Sequence, residues 1–365
     1  MWNFEFGIMY DHKYLLEFTT DLFMKIGCSR SDAESIAAVL TAAELRGHSS
    51  HGMIRIKEYY ELWKSGRINV TPDVKVVHET PSTAVIDGDR CFGMVAGTRS
   101  MQLAIEKAAA SGTGWVATRN SNHFGIAGFY AMMALQHDMV GICVTNANPL
   151  VFPTWSVSRY LGTNPLAVAV PALNEPPFVA DFASTPIARG KLAVAEKKGE
   201  KVPFGYVLDA DGNPSDDPGI LRRGGGMVTL GGDREHGSHK GYCLAAVIDI
   251  FSALFSGANF GPFVPPSVAY LPVPEKKTGE GLGHFFGAMR IDAFRPAHEF
   301  RASMDEWIAT FRNAKPAGGQ TRVLVPGDPE READEKHRKE GIRLVPAVVE
   351  DVKAIASELG MVFKD

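Results

Sequence analysis

Apolar residues near both ends of the chain follow the three- and four-residue spacing of amphipathic helices. This spacing predicts helices over residues 12–27, from residue 31 towards 46, and over 50–64, 296–314 and 346–360. Because helical patterns occupy both ends, we expect residues 1–72 and 296–365 to pack together as one helical unit.

The central part of the chain, residues 73–295, changes to short β-type runs that alternate with helical stretches. Alternation of this kind is typical of an α/β domain with a mixed or parallel sheet. Residues 193–235 are rich in Gly, Lys and Asp and predict a smaller subdomain or flap. Strands are predicted at 74–76, 83–86, 114–118, 140–145, 166–170, 178–182 and 284–291, and helices over 95–110, 126–137 and 240–256.

The composition is that of an ordinary soluble protein, with 365 residues, 45% of them hydrophobic and 22% charged. A net charge of −4 gives no electrostatic footprint for nucleic acid. The four cysteines form no CxxC pair, which argues against a metal site or a disulfide framework and favours a reducing compartment. No basic segment followed by an apolar run opens the sequence, so we expect a cytoplasmic protein.

The stretch RGHSSHGMIR, residues 46–55, concentrates histidine, hydroxyl and arginine side chains between two predicted helices. A helix beginning near Ser50 would place His51 and Arg55 on one face, about one turn apart. Histidine exchanges protons near neutral pH, and the arginine fork fits a carboxylate. The stretch therefore indicates a site for a small carboxylic acid, or alternatively a polar helix junction whose histidines cap backbone groups.

A standard dinucleotide fingerprint is missing. The run Gly224-Gly225-Gly226 follows a loop and reaches Thr229 where the pattern GxGxxG needs its last glycine. The sequence therefore argues against a Rossmann phosphate loop.

Six further segments combine polar residues with a predicted helix start or strand end. Backbone N–H groups at a helix start bind anions, and ligands gather where the strands of α/β sheets end. The same residue types also make caps and turns, so each segment alone leaves a purely structural interpretation open. They are 120–128, 145–149, 161–165, 181–185, 237–242 and 326–330.

Seven segments, in this order, resemble the malate/L-lactate dehydrogenase family that is unrelated to the Rossmann-type lactate and malate dehydrogenases. They are RGHSSHGMIR, NSNHFGIAGFYA, TNANP, LGTNPLAV, DFASTPIARGK, GSHKGYCLAAVIDI and VPGDPE. The resemblance covers nearly the whole chain. It implies a homodimer that binds NAD or NADP without a GxGxxG loop, in an α/β domain joined to a helical unit from both chain ends. Implied substrates are 2-hydroxy and 2-oxo acids, cyclic imino acids and ureidoglycolate.

Carried over by position, the resemblance makes His51 the group that exchanges a proton with the substrate oxygen. Ser50 would orient it, and Arg55 and Thr163 would contact the substrate. In some members the histidine at position 123 is the proposed acid/base, so this role stays open between the two histidines. The implied coenzyme contacts are His123, Phe124, Gly125, Asn146, Ala147, Asn148, Asp181, Phe182, Ala183, His239, Lys240, Gly327, Asp328 and Glu330.

Two positions depart from the family pattern. Lys191 stands where some members carry an aspartate that completes a Ser–His–Asp relay, and a lysine cannot support a histidinium. Ala147 stands where a hydroxyl residue is common, so any coenzyme contact there comes from backbone.

The basic character of the 46–55 strip favours malate among the implied substrates. The second carboxylate of malate needs another cation, for which His48, Arg46, Arg189 and Lys191 are candidates. We expect NAD rather than NADP, because no arginine is identified for a 2′-phosphate. Lactate, another 2-hydroxy acid, a cyclic imine and a non-catalytic ligand-binding role remain alternatives.

Overall fold

The computed structural model describes residues 7–364, without the side chains of residues 197 and 198. Residues 1–6 and 365 lie outside the described residues. They belong to the predicted helical unit, and residues 1–6 also belong to the segment in which we expect no signal peptide. Over the described part of the chain, no helix is long and apolar enough to cross a bilayer.

Each of the seven predicted strands corresponds to a strand of the structure, whereas the strands at residues 8–10 and 342–344 were not predicted. Two predicted strands match residue for residue, and a short three-stranded sheet falls within the predicted flap. The strands are β1 Ile8–Tyr10, β2 Lys75–Glu79, β3 Thr83–Asp87, β4 Thr113–Ser121, β5 Met139–Thr145, β6 Leu166–Val170, β7 Phe178–Phe182, β8 Val207–Leu208, β9 Pro214–Ser215, β10 Gly226–Met227, β11 Leu282–Arg290 and β12 Ile342–Leu344.

The helices also follow the apolar spacing, with a π-helical extension of the seventh over Ile250–Leu254. They are α1 His12–Lys25, α2 Arg30–Leu45, α3 Arg55–Lys64, α4 Gly93–Ser111, α5 Ala127–Met133, α6 Arg189–Lys198, α7 Ser238–Asp249, α8 Ala297–Arg312, α9 Asp328–Glu340 and α10 Pro346–Glu358.

A seven-stranded mixed sheet forms the centre, in the order β2-β3-β4-β11-β5-β6-β7. Only β3 and β4 pair in parallel, and the other neighbours are antiparallel. Strand β11 lies between β4 and β5, although it comes far later in the chain. This sheet confirms the prediction of an α/β fold with a mixed sheet.

Alternating side chains of the central strand cover the two faces of the sheet. Phe286 packs against Phe124 and Tyr130 on the face that α4 and α5 cover. Phe285 points the other way and meets Phe251 of the π-helical extension. The first face therefore holds the core, and the second is only partly covered.

The two ends of the chain meet in space. Strand β1 pairs antiparallel with β12, and the rings of Tyr10, Phe18 and Phe363 form one aromatic cluster. Ion pairs Lys57–Asp351 and Lys64–Glu358 join α3 to α10. The division into domains stays a prediction, since one continuous cluster of buried apolar residues links this helical region to the sheet.

The predicted flap has apolar contacts of its own. Val202, Val207 and Ile220 belong to a second buried cluster, which also includes Val151, Leu161 and Leu192 from outside residues 193–235. That this segment is a separate subdomain stays a prediction.

Candidate active site

The prediction of one helix beginning near Ser50 is wrong. A 3-10 turn covers Ser49–His51, and α3 begins only at Arg55. The two functional residues nevertheless stay together, because Nε of Arg55 turns back and donates to the carbonyl oxygen of Ser50 at 2.8 Å. Proximity comes from this return contact and not from a shared helical face.

The guanidinium of Arg55 is buried and only partly satisfied by the protein. Nε binds the Ser50 carbonyl and Nη1 donates to Glu58. A guanidinium carries five N–H donors. The remaining donors are suited to a carboxylate, which accepts two parallel hydrogen bonds from such a fork.

His51 is partly buried and neutral in this environment. The hydroxyl oxygen of Ser50 lies 2.9 Å from its Nδ1. Burial, followed by the positive charges of Arg55 and His48, lowers the pKa of His51 to about 3. The uncharged imidazole can accept a proton at neutral pH.

The ring of His123 lies beside that of His51, with centroids 5.5 Å apart and planes inclined by 23°. Nδ1 of His123 lies 2.7 Å from the hydroxyl oxygen of Tyr59 and accepts a hydrogen bond of 3.3 Å from the backbone N–H of Gly125. A nitrogen that accepts from an amide carries no proton, so the proton of neutral His123 resides on Nε2. Burial and the charge of Arg55 hold the pKa of His123 well below its usual value.

Arg189 is a further positive charge near His123. It contributes to the lowered pKa of His123, and its guanidinium donates to the hydroxyl of Tyr270 at 2.8 Å. The next residue, Gly190, packs so close to Ser50 that a Cβ there would lie 2.9 Å from the serine Cβ. Lys191, at the relay position, is exposed to solvent.

Several segments predicted to contact a coenzyme lie side by side. The backbone N–H of Ala147 donates to Oδ1 of Asn164 at 3.1 Å. Both the backbone N–H and the hydroxyl of Ser184 donate to the carbonyl of Thr163 at 2.9 Å. The carbonyl of Ser184 accepts from the N–H of Leu230, close to the start of α7. The loops around 147, 163 and 183 therefore form one continuous surface.

Three of the predicted coenzyme contacts have side chains that point into the protein. Phe124 is 1% exposed and stacks on His284 at 4.6 Å. Asn146 is 1% exposed, and its amide binds Asp249 and backbone groups. The carboxylate of Asp328 accepts from Arg312, Arg331 and a backbone N–H. These residues shape the site, and any coenzyme contact from them is left to the backbone.

Asp181 and Glu330 lie in a second charged group beside the histidines. Oδ2 of Asp181 accepts from the N–H of Gly128 at 2.8 Å. Burial raises the pKa of Asp181, while the nearby His48 and Arg46 lower it. Nε2 of His48 is 4.0 Å from Oε1 of Glu330 and lacks a hydrogen-bond partner among the described residues.

The donor set suits a dinucleotide. The first turn of the twelve-residue helix α7 presents Lys240 to solvent, beside the partly exposed His239, and a helix start with a lysine is a suitable place for a pyrophosphate. Carboxylates such as Asp181 and Glu330 accept hydrogen bonds from ribose hydroxyls. Phe182, 40% exposed, and Ala183 extend the same edge of the sheet. Gly327, with a φ of +99°, packs against Val179 of β7 and brings the start of α9 to this edge.

Sequence reasoning missed Tyr59 and Tyr270. Tyr59 lies four residues after Arg55 on α3, so the helical spacing places it on the same face. Its apolar neighbours gave it the pattern of an ordinary core residue. Tyr270 lies in a stretch without regular structure, where no periodic pattern identifies a partner for Arg189.

The chain is similar to known dehydrogenases over nearly its whole length. The model of the malate/L-lactate dehydrogenase family matches residues 10–353. A malate dehydrogenase of Pyrococcus abyssi is 39% identical over 351 residues, 95% of this chain and 94% of that protein. An L-sulfolactate dehydrogenase of Methanocaldococcus jannaschii is 39% identical over 345 residues, 94% of this chain and 95% of that protein. The crystal structure of malate dehydrogenase from Entamoeba histolytica has a TM-score of 0.92 at 33% identity and covers 99% of this chain and 100% of that one. The chain therefore belongs to the malate/L-lactate dehydrogenase family and is a dehydrogenase acting on a CH–OH group, for which the family implies a nicotinamide coenzyme.

Proposed function

We propose that the protein is an NAD-dependent malate dehydrogenase in which His51 exchanges the proton and Arg55 holds the C1 carboxylate. The observation that carries the proposal is the stacked pair of neutral histidines beside a buried arginine with free donors. A bound nicotinamide supplies or takes the hydride at C2 of the substrate.

His51 is the better candidate for the base because its pairing leaves a nitrogen open. Its Nδ1–H can donate to the hydroxyl oxygen of Ser50, 2.9 Å away, and in that tautomer Nε2 carries no proton and can accept the substrate proton. In the oxidation direction His51 accepts that proton, and in reduction its imidazolium returns it. The substrate carboxylate at Arg55 offsets the positive charge that lowers the pKa of His51, so binding of the acid favours protonation.

The ring of His123 has the opposite pattern of hydrogen bonds, so this histidine donates a hydrogen bond to the substrate. Since its Nδ1 accepts from Gly125, Nε2–H is its only exchangeable donor. A neutral N–H donor polarises a carbonyl oxygen without removing a proton from the alcohol. His123 therefore orients the C2 oxygen while His51 exchanges the proton.

Arg189 is the cation that we assign to a second acidic group on the substrate. It lies close enough to lower the pKa of His123, whereas Lys191 is exposed. The names of the relatives, malate and sulfolactate dehydrogenase, both denote hydroxy acids with an acid at the far end. This agreement supports malate over lactate, and His48 remains a second contact for the substrate.

NAD is the coenzyme that the charges favour. Asp181 and Glu330 place two carboxylates in the second charged group, where Arg46 and His48 lie beside them. Carboxylates accept hydrogen bonds from a ribose diol and repel a 2′-phosphate.

A homodimer is the assembly that we propose. Val247, Ile250 and Leu254 are exposed at three- to four-residue spacing along α7 and its π-helical extension, and the exposed Phe255 follows directly after it. An apolar stripe of this length is unusual on a monomer and can pack against its own copy about a two-fold axis.

Four reduced cysteines make the cytoplasm the compartment that we propose.

A coenzyme-oxidation screen tests the proposal. Absorbance of NADH and NADPH is followed with oxaloacetate, sulfopyruvate, pyruvate and a cyclic imine. We expect oxaloacetate with NADH to give the highest kcat/KM. A faster reaction with the imine or with pyruvate would replace malate as the substrate, and flat traces throughout would favour a non-catalytic protein.

A further inference from the structure

The carboxyl group of Glu44 lies directly beneath the turn that carries His51. Glu44 belongs to the last turn of α2, and its Oε1 accepts a hydrogen bond of 2.7 Å from the backbone N–H of Met53, nine residues later. Ser49 lies close enough to the same carboxyl for its hydroxyl to lower the pKa of Glu44. One buried side chain therefore lies against both ends of the turn.

Burial of the Glu44 carboxyl at this position is energetically unfavourable. Glu44 is 2% exposed, and a negative side chain in the last turn of a helix faces the negative end of the helix dipole. Its second oxygen, Oε2, is buried without a hydrogen-bond partner in the described structure. A buried unsatisfied group of this kind calls for an explanation, and simple stabilisation of the fold does not provide one.

Gly52 gives an independent observation on the same contact. A Cβ at Gly52 would lie 2.2 Å from Oε1 and 2.4 Å from Cδ of Glu44. The φ of Gly52 is −96°, on the side that L residues adopt, so the carboxyl is the obstacle to a side chain there. Gly52, which follows His51, therefore packs directly against the carboxyl of Glu44 and leaves no room for a side chain.

We propose that Glu44 is a positioning residue for His51: its carboxyl is the template against which residues 49–53 fold, and Gly52 is the steric counterpart that allows the close approach. The inference rests on the proposed role of His51 as the group that exchanges the proton. Glu44 touches neither substrate nor coenzyme in this arrangement and acts through the turn.

The protonation of Glu44 agrees with a template that accepts hydrogen bonds and does not need its charge. Burial raises the pKa of Glu44 to about 7, against the smaller lowering effect of the bonds from Ser49 and Met53. A glutamine retains the volume and one accepting oxygen. Glu44→Gln should therefore preserve the turn, whereas Glu44→Ala should release it.

The test is a set of four variants: Glu44→Gln, Glu44→Ala, Gly52→Ala and the double variant Glu44→Ala/Gly52→Ala. We expect Glu44→Gln to keep kcat within about threefold and Glu44→Ala to lower it about 10- to 100-fold with little change in KM, because a misplacement of 1 Å in a reacting group costs on that order. Gly52→Ala should be equally impaired, and the double variant should be no worse than either single one, since the methyl then enters the vacated space.

Three measurements separate positioning from general destabilisation. Thermal unfolding identifies any variant that fails to fold, and Glu34→Ala, an exposed glutamate on the same helix, is the matched control. Hydrogen exchange of the Met53 amide and the NMR titration of the His51 ring report the turn directly. Loss of protection at Met53 and a shift of the His51 titration in Glu44→Ala, with both unchanged in Glu44→Gln, are expected.

Wild-type kcat in a folded Glu44→Ala variant, or strictly additive losses in the double variant, would overturn the proposal. Should no acid be turned over at all, the proposed function fails, and the NMR measurements still decide whether Glu44 holds the turn.

Discussion

The hydroxyl of Tyr59 lies 2.7 Å from Nδ1 of His123, and this contact spans 64 residues of sequence. Tyr59 is almost completely buried, and burial raises its pKa well above the usual value of a phenol. The phenol therefore stays protonated and donates to the histidine, which fixes Nε2–H as the donor that faces the site.

Tyr59→Phe should weaken this orientation of His123. Loss of one neutral hydrogen bond corresponds to about 1 kcal/mol, or roughly fivefold in kcat. The measurement is steady-state kinetics with the best substrate of the screen. Tyr60→Phe is the matched control, because the neighbouring tyrosine interacts with Glu358 and Lys64 on α10 and α3, not with the histidines. Equal effects of the two substitutions would mean that the His123 contact has no catalytic role.

His51→Asn should remove the proton exchange and leave coenzyme binding intact. We expect kcat to fall by about two to four orders of magnitude, the usual contribution of a general acid–base group. Binding of NADH, followed by fluorescence, should stay within about threefold of wild type. His123→Asn should lower kcat less. If the order of the two losses is reversed, the acid–base role belongs to His123.

Arg55→Lys should raise KM for the acid steeply. A lysine cannot form a fork with a carboxylate, and it also loses the Nε contact to the carbonyl of Ser50. We expect an increase in KM of about 10- to 100-fold, with kcat reduced less. An unchanged KM would remove Arg55 from substrate binding.

Acid should destabilise the fold through its neutral histidines. Burial lowers the pKa of both His51 and His284 to about 3, well under 6.5 in an unfolded chain. The stability that they contribute is complete above pH 6.5 and is lost as pH falls towards 3, because the unfolded chain then binds more protons. Glu44, with a pKa raised to about 7, has the opposite effect between pH 4.5 and 7.

Denaturant unfolding at a series of pH values measures this slope. His51→Asn should reduce the dependence of the unfolding free energy on pH between 6.5 and 4 by up to one proton. His78→Asn, an exposed histidine in β2, is the control. A slope identical to wild type in His51→Asn would show that His51 titrates normally in the folded protein.

Leu254→Glu should disrupt the proposed dimer. The side chain is 56% exposed near the C-terminal end of the apolar stripe, and a charge there opposes burial against a second copy. Sedimentation velocity should show a dimer for the wild type and a monomer for the variant. Leu271→Glu, another exposed leucine outside the stripe, should leave the dimer unchanged. A wild-type monomer would overturn the assembly.

The sequence predicted the elements of the fold because their signals are local. The strand over residues 166–170 is bounded by turn residues on both sides, and the structure has the same limits. The position of β11 between β4 and β5 could not be predicted, since pairing partners far apart in the chain leave no periodic trace. The seven strands of the central sheet could be predicted from the sequence, but their order in the sheet could not.

At the site, the residue types were easier to predict than their arrangement. The pattern 46–55 identified His51 and Arg55, but the expected continuous helix is interrupted because Glu44 binds the N–H of Met53 from nine residues away. Phe124 was expected at the coenzyme, whereas stacking on His284, a residue of β11, buries it. Both differences arise from contacts between distant segments, which spacing alone does not reveal.

The pairing of the chain ends has a consequence for biosynthesis. The hydroxyl of Tyr14 accepts a hydrogen bond from the backbone N–H of Lys364, which lies 350 residues later in the chain. Lys57 of α3 forms an ion pair with Asp351, which lies 294 residues later. During translation the first three helices therefore emerge long before the partners that cover their apolar faces. We expect nascent chains that lack residues 346–364 to depend on chaperones, and the helix that carries Arg55 and Tyr59 to reach its final position only once those residues have emerged from the ribosome.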